Sequence, residues 1–138
     1  MFNGLRKEVL VRLVEACVGR KCFTGDVIVK EGTLGRELYA IASGKVEVVM
    51  HAGSGREIVL ATLGRGDFFG EMSVVECRAR VATVRVAEPS VLYSLNRADL
   101  LKLFEKSPDQ FAILMLNMAR GLCGHLRSID HVFAARAY

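Results

Sequence analysis

The chain has 138 residues, of which 51% are hydrophobic and 25% charged, with a net charge of +4 at pH 7. This predicts one ordered globular domain with its own core. No apolar run approaches the roughly 20 residues that cross a bilayer, and no signal peptide opens the chain. We therefore expect a cytoplasmic location, as a separate protein or as the cytoplasmic part of a membrane protein. The net charge permits nucleic-acid contact but argues for it only weakly, because the basic residues are scattered, and we expect no nucleic-acid binding by this chain alone.

The cysteines and histidines do not form a recognisable reactive site. Four cysteines are widely spaced and match no zinc pattern. Cys17 and Cys22 are close enough in sequence to pair, but we expect all four to be reduced thiols. The three histidines lie in unrelated contexts, and no catalytic motif is present. The sequence thus predicts no metal site, no catalytic cofactor and no enzymatic activity.

The N-terminal half changes from helical to strand periodicity. Residues 5–19 predict an amphipathic helix that ends near Gly19. Its apolar stripe contains Leu10, Leu13, Val14, Cys17 and Val18. Residues 23–95 then carry short strands separated by glycine turns, a pattern typical of a sandwich or barrel. The candidate strands are Val27–Lys30, Glu37–Ala42, Lys45–His51, Glu57–Leu63, Val81–Ala87 and Ser90–Leu95.

One stretch within these strands has the residues that an anion-binding site needs. It reads Phe69-Gly70-Glu71-Met72-Ser73, followed by Arg80-Val81-Ala82-Thr83-Val84. Gly70 can adopt backbone angles closed to other residues, and residues 71–75 predict one helical turn whose first N–H groups can bind an anion. Arg80 can donate two hydrogen bonds to one phosphate. Glu71 would repel a phosphate but can accept a hydrogen bond from a sugar hydroxyl.

The same residues also allow a purely structural explanation. Gly-Glu pairs are common, and Arg80 could be a surface charge or a structural partner of Glu71. The apolar neighbours favour binding, because they would exclude water and strengthen each polar contact; they are Phe68, Phe69, Val74, Val75 and Val81. A cyclic nucleotide, with one phosphodiester charge beside a free ribose 2′-OH, fits this set of groups.

Two helices are predicted after the strands. Asn96 can cap a helix over residues 97–106, whose inward residues are expected to be Leu100, Leu101, Leu103 and Phe104. Ser107, Pro108 and Gln110 form a helix start with a capping box, and this second helix extends to about residue 130 or beyond.

The last helix carries an apolar seam with alternating four- and three-residue spacing. The seam consists of Phe111, Met115, Met118, Leu122, His125, Ile129 and Val132. Such spacing is typical of a coiled coil and favours a homodimer, although the helix can instead pack only on its own strands. Gly121 and Gly124 lower helix propensity by about 1 kcal/mol each relative to alanine, so packing must stabilise this helix.

The glycine, glutamate and arginine motifs resemble the phosphate-binding cassette of the cyclic-nucleotide-binding domain family. This family includes catabolite activator proteins, cyclic-nucleotide-gated channels and regulatory subunits of cAMP-dependent kinase. The resemblance extends over nearly the whole chain, through Gly25-Asp26, Lys30-Glu31-Gly32, Gly35-Arg36-Glu37-Leu38-Tyr39, Ser43-Gly44-Lys45-Val46 and Gly66-Asp67-Phe68.

The resemblance implies a mainly β fold with flanking helices. The expected architecture is an eight-stranded β-roll (a double-stranded β-helix or jelly roll) with an N-terminal helix and two C-terminal helices. It implies a single domain over residues 1–138. The N-terminal helix would lie in residues 1–20, the β-roll in 21–95 with its cassette at 69–83, and the C-terminal helices B and C in 96–138.

The resemblance also implies a sensor that binds cAMP or cGMP without altering it. The ligand-binding residues would be Phe69, Gly70, Glu71, Met72, Ser73, Arg80, Val81 and Ala82. Val48 and Leu60, with Met72, are candidates for the purine wall. On the last helix, His125 and Leu126 align with adenine contacts of catabolite activators, whereas channels use an arginine near Arg120. Each of these can instead be an ordinary core or surface residue.

The nucleotide preference rests on one position. Many cGMP-responsive members have a threonine after the cassette arginine, and this chain has Val81 there. The lost guanine contact favours cAMP, unless Val81 simply fills a β-branched strand position.

The resemblance implies three kinds of partner: the nucleotide, a second copy bound through the last helix, or an attached channel or effector domain. The residues after Asp130 are too few for a helix-turn-helix. The alternative function is a β-roll interaction or dimerisation module that no longer binds nucleotide. The retained Glu71 and Arg80 argue against it.

Overall fold

A computed structural model describes the backbone of residues 1–137. It describes all their side chains except those of Ser73, Ser128, Ile129, Val132, Phe133 and residues 135–137. The elements in chain order are α1 (Lys7–Ala16), β1 (Val18–Cys22), β2 (Val27–Val29), β3 (Glu37–Met50), β4 (Ile58–Gly64), β5 (Phe68–Phe69), α2 (Glu71–Glu76), β6 (Thr83–Asn96), α3 (Arg97–Lys106) and α4 (Pro108–Ala137).

Six strands of the described chain form one antiparallel sheet. The order is β1-β6-β3-β4, while β2 pairs with β6 and β5 pairs with β3. The two 14-residue strands β3 and β6 pair from Glu37–Asn96 to Val49–Thr83, with register shifts between Ile41 and Val46. Irregularities of this kind bend paired strands. If β3 and β6 are each counted as two strands, the six strands of the sheet become the eight that were predicted. The predicted mainly β fold with flanking helices is confirmed.

The predicted N-terminal helix over residues 5–19 is too long. Helix α1 ends at Ala16, and Gly19 lies in strand β1 rather than at a helix stop. Strand β1 was not predicted, because Cys17 and Val18 continue the apolar stripe of the preceding helix; the strand pairs with β6 from Val18–Ser94 to Cys22–Ser90. The predicted stripe is also wrong in part, since Val14 and Val18 are exposed.

The helix starts after the sheet agree with the sequence, but one side-chain role differs. Asn96 caps α3, its Oδ1 accepting a hydrogen bond from the Ala98 N–H at 2.9 Å, and α4 begins at Pro108. Instead of serving a capping box, Gln110 accepts a hydrogen bond from the Arg6 N–H at 2.7 Å. This bond ties the start of α1 to the start of α4.

The core has two parts. One lies inside the curved sheet and contains Cys22, Val29, Ile41, Val46, Leu63, Phe69, Val84, Val86 and Leu92. The other lies between sheet and helices and contains Val9, Leu13, Leu38, Phe68, Val74, Leu95, Leu100, Leu103, Leu114 and Met118. Contrary to expectation, Leu101 and Phe104 of α3 are exposed.

All four cysteine thiols are free. Within the described chain, no helix is long and apolar enough to span a membrane.

The first half of the seam on α4 packs on its own chain. Met118 is buried in the core between sheet and helices, and Phe111 and Met115 are packed against the same core. The seam residues Ile129 and Val132 lie outside the described side chains. This part of α4 therefore follows the alternative in which the helix packs on its own strands.

Gly121 lets α4 approach the sheet. A Cβ at this position would lie 2.2 Å from Cζ of Phe68, closer than two carbon atoms can approach. A Cβ at Gly124, one turn further, would meet no described atom within 4 Å. The low helix propensity of Gly121 is thus the cost of close packing against an aromatic ring.

We predict opposite effects of alanine at these two glycines. Gly124→Ala should raise the free energy of unfolding by up to about 1 kcal/mol through helix propensity. Gly121→Ala gains the same term but overpacks Phe68, which costs about 1–3 kcal/mol. Urea unfolding should therefore place Gly121→Ala below Gly124→Ala in stability. Equal stabilisation by both variants would contradict the close packing of Gly121.

Candidate functional site

A cavity opens between the sheet, α2 and α4. It holds about 790 Å³ of empty space when its open mouth is included. Most of its lining is aliphatic, and three side chains with ionisable groups, Glu71, Arg80 and His125, border it.

The cavity collects almost all of the predicted ligand-binding residues. It is lined by Phe69, Gly70, Glu71, Met72, Arg80, Val81 and Ala82, and also by Val48, Leu60, His125 and Leu126. Ser73 has a side chain outside the described residues. Arg120 is exposed on α4 and does not line the cavity. Of the three suggested helix contacts, the structure therefore brings His125 and Leu126 to the cavity and leaves Arg120 outside it.

Arg80 is buried, with only 6% of its surface exposed. Its Nη1 donates to the carbonyl oxygen of Gly70 and its Nη2 to that of Glu37, each at 3.0 Å. Arg80 forms a long ion pair with the half-exposed Glu37, in which Nη2 and Oε2 are 3.9 Å apart. Because each Nη carries two hydrogens, both carbonyl bonds can persist while the guanidinium donates to another group.

The surrounding backbone fixes the position of Arg80. Its N–H donates to the Thr33 carbonyl at 2.8 Å, and its own carbonyl accepts from the Gly32 N–H at 2.9 Å. A Cβ at Gly35 would lie 2.1 Å from Nη2 of Arg80, so this side chain lies directly against the Gly35 backbone. Burial lowers the pKa of Arg80, because removing the cation from water disfavours its charged form.

Gly70 makes the turn that leads into α2. Its φ is +90°, as the sequence predicted, and a Cβ there would lie 2.8 Å from both Nη1 of Arg80 and the Glu37 carbonyl. Both conformation and space therefore require glycine. The helical turn that follows, Glu71–Glu76, confirms the predicted short helix.

Glu71 lies on the side of the cavity that faces α4. It is 4% exposed, and its Oε1 is 2.9 Å from Nδ1 of His125. The His125 ring also lies 5.8 Å from the Phe68 ring, centroid to centroid. The hydrogen bond to Glu71 raises the pKa of His125, and this effect outweighs the lowering caused by burial.

Val81 lines the cavity from outside a strand. The predicted strand over residues 81–87 is wrong at its start, because β6 begins at Thr83. Val81 is 58% exposed and Met72 is 40% exposed. The alternative in which Val81 merely fills a strand position therefore does not hold.

The sequence missed several residues around the cavity. The additional lining residues are Val29, Ala61, Leu63, Val84 and Leu122. In the sequence these residues look like ordinary core positions. They belong to predicted strands or to the apolar seam of the last helix, and nothing else marks them as cavity residues. Gly35 lies against the Arg80 side chain, and the Glu37 carbonyl accepts a hydrogen bond from it. Both residues belong to the Gly35-Arg36-Glu37-Leu38-Tyr39 motif, for which the sequence indicated no role in binding.

Comparison with known proteins identifies this arrangement. Residues 20–107 match the profile of the cyclic nucleotide-binding domain. The chain belongs to the cyclic nucleotide-binding domain family. This match covers the end of β1, strands β2 to β6, the cassette and α3, and it confirms the resemblance found in the sequence.

Relatives of different architecture share this domain. The Cyclic AMP receptor protein of Thermus thermophilus is 35% identical over 130 residues, covering 94% of this chain and 58% of the relative. A chicken rod photoreceptor cyclic nucleotide-gated channel subunit alpha is 33% identical over 120 residues, covering 83% of this chain and 18% of the channel. The crystal structure of the Thermus thermophilus Catabolite Activator Protein superposes with a TM-score of 0.78 at 34% identity, and the match covers 99% of this chain and 62% of that protein.

The chain spans less than two thirds of these relatives' length, 58% of the receptor protein and 18% of the channel. The family is a sensing and regulatory one rather than a catalytic one, so the prediction that this domain is not an enzyme is confirmed.

We predict that Gly35→Ala weakens cyclic-nucleotide binding without any change in a ligand contact of its own. The added methyl group needs space occupied by Nη2 of Arg80, and it should displace the guanidinium. We expect a loss of about tenfold or more in affinity for cAMP by calorimetry, about 1.4 kcal/mol. Gly55→Ala is the matched control, since a Cβ there meets no described atom within 4 Å. Equal affinities of the two variants would contradict the close contact of Gly35 with Arg80.

Proposed function

We propose that this chain is a regulatory domain that binds cAMP in preference to cGMP and transmits its occupancy through α4, without chemistry on the ligand. The observation that carries this proposal is the buried guanidinium of Arg80 in an apolar cavity, held by two carbonyl oxygens.

Arg80 has the properties of a phosphate ligand. A buried charge is costly unless it is paired, and the carbonyl oxygens satisfy its N–H groups without cancelling its charge. The carboxylate of Glu37 contributes little, because it is 3.9 Å away and 43% exposed. A singly charged phosphodiester at the cavity would supply the missing charge. Charge-assisted hydrogen bonds of this kind are worth about 1.5–3 kcal/mol each.

Glu71 has the properties of a ribose ligand. It lies at the same cavity as Arg80, but its Oε1 faces α4 and His125 rather than the guanidinium. An anionic carboxylate repels phosphate and accepts readily from a hydroxyl donor. The neighbouring 2′-OH of a cyclic nucleotide is such a donor. Backbone from Phe69 to Met72 would lie along the same side of the ligand.

The purine would occupy the aliphatic part of the cavity, beside Val48, Leu60 and Ala61. Val81 borders this space with a partly exposed side chain and offers no hydroxyl to guanine. An unpaired guanine amino or carbonyl group costs free energy on burial, whereas adenine loses no contact at this position. The name of the Thermus relative refers to cyclic AMP, which agrees with this preference.

Helix α4 is the element that can report occupancy. It borders the cavity through Leu122, His125 and Leu126 and continues to Ala137. A ligand that contacts these residues biases the position of the helix, and thereby whatever is attached to it or packed on it. We propose as partners either a second copy bound through α4 or an attached effector or channel domain, in the cytoplasm.

The alternative module without a ligand explains the cavity less well. Such a module has no need to keep a buried cation at the wall of an apolar cavity, with a buried carboxylate at the same cavity. Each polar group there costs desolvation free energy that apolar packing would avoid.

Replacing the phosphate ligand tests the proposal directly. Arg80→Ala should reduce cAMP affinity by about 100-fold or more, about 2.7 kcal/mol, since it removes the charge and at least one charge-assisted hydrogen bond. Arg78→Ala is the control, because Arg78 is 83% exposed and pairs only loosely with Glu76 at 3.8 Å. Calorimetry with cAMP measures both, and circular dichroism confirms folding. Full affinity in a folded Arg80→Ala variant would refute the phosphate assignment.

A second substitution tests the choice of base. Val81→Thr adds a hydroxyl at the cavity and should improve cGMP affinity relative to cAMP by about fivefold, near 1 kcal/mol. Val75→Thr, an exposed position on α2 away from the cavity lining, is the matched control. Competition binding with both nucleotides gives the ratio. An unchanged ratio in Val81→Thr would remove the argument for adenine.

A further inference from the structure

The carboxylate assigned to the ribose already has a partner within the chain. Oε1 of Glu71 is 2.9 Å from Nδ1 of His125, and this contact joins the cassette to α4. Both groups line the cavity, and Glu71 is almost completely buried. The contact spans 54 residues of sequence, so it is a tertiary link and not a local turn.

We propose that His125 competes with the ribose hydroxyl for the Glu71 carboxylate, so that nucleotide binding releases the histidine together with a proton. This inference rests on the proposed function, because it requires Glu71 to be the ribose ligand. It assigns His125 a role in the ligand-free state, in which it holds α4 against the cassette. The Glu71–His125 pair is thus an intrachain substitute for one ligand contact.

The geometry supports competition rather than sharing. The imidazole contacts both the Glu71 carboxylate and the Phe68 ring, and His125 and Glu71 line the same cavity. A ribose that binds Glu71 from the cavity would approach the oxygen that already contacts His125. A protonated imidazole is also a stronger partner for a carboxylate than a neutral hydroxyl is. The ribose must therefore replace an ion pair while His125 is protonated, and only a hydrogen bond from an uncharged donor when it is not.

The charged groups around His125 set the sign of the pH dependence. Glu71 from α2 and Asp67 from the turn before β5 both raise the pKa of the imidazole above its ordinary value of 6.5. Arg80 also lines the cavity and interacts electrostatically with Glu71. The paired state is therefore favoured below pH 6.5, and this advantage disappears as the pH rises through the raised pKa of His125. Nucleotide affinity should increase over the same interval.

The experiment measures the cAMP dissociation constant by calorimetry between about pH 6 and pH 8.5, a range in which neither the phosphodiester nor adenine titrates. We expect affinity to rise at least about fivefold across this range, approaching tenfold per pH unit where one proton is released. In His125→Gln, which can keep a neutral hydrogen bond, the dependence should be lost and affinity near pH 6 should exceed that of the parent. His131→Gln, at an exposed histidine on the same helix, should retain the parent's dependence.

Several outcomes would overturn the inference. A flat pH profile in the parent would mean that the carboxylate accepts both partners at once. Weaker binding by His125→Gln at every pH, with the slope retained, would make this histidine a purine contact instead. If His131→Gln lost the pH dependence of cAMP affinity, the released proton would come from His131 and not from His125. Absence of binding to the parent at any pH would overturn the proposed function and this inference together, whereas a flat profile overturns the competition alone.

Nuclear magnetic resonance gives a readout that a merely structural histidine would not change. The side-chain nitrogen signals of His125, assigned by comparison with His125→Gln, report its pKa directly. We expect this pKa to lie above 6.5 in the free protein and to fall when cAMP saturates the site. An identical His125 pKa in the free and saturated protein would refute proton release.

Discussion

The burial of one guanidinium beside an apolar cavity constrains much of the surrounding structure. Arg80 is held by carbonyl oxygens of Gly70 and Glu37, which come from the cassette turn and from the start of β3. Carbonyl dipoles satisfy hydrogen-bond donors but leave the positive charge uncancelled. The protein thereby keeps a fixed, dehydrated cation whose electrostatic effect is much larger than that of a surface arginine. An anion that enters this cavity meets a charge that needs no reorganisation.

Fixing such a side chain places strict demands on the backbone around it. Gly35 and Gly70 both lie where a Cβ would collide with the guanidinium, and Gly70 also has a φ of +90°. Gly121 meets a similar demand where α4 packs against the Phe68 ring. These three glycines come from a loop, a turn and a helix. In each place a local preference is given up so that two elements can approach closely.

The sequence predicted the parts of this arrangement that depend on local rules. The Asn96 cap, the start of α4 and the turn at Gly70 follow from short-range chemistry, and the structure contains each of them. Strand β1 was missed because Val18 continues the apolar stripe of the helix before it, and only the pairing with the distant β6 makes it a strand. The contact between Glu71 and His125 was also missed. Each residue was a candidate ligand, but nothing local indicates that they face each other.

The two halves of α4 are attached to the domain by different forces. Leu114 and Met118 are completely or almost completely buried in a hydrophobic core, whose free energy does not depend on a ligand. Among the described side chains beyond Gly121, Leu122, His125 and Leu126 meet the domain at the cavity wall. Hydrophobic burial fixes the first half regardless of pH or occupancy, whereas these contacts include a titratable hydrogen bond between His125 and Glu71. A ligand of modest size can therefore change the balance of contacts on the second half without first breaking the core that anchors the first.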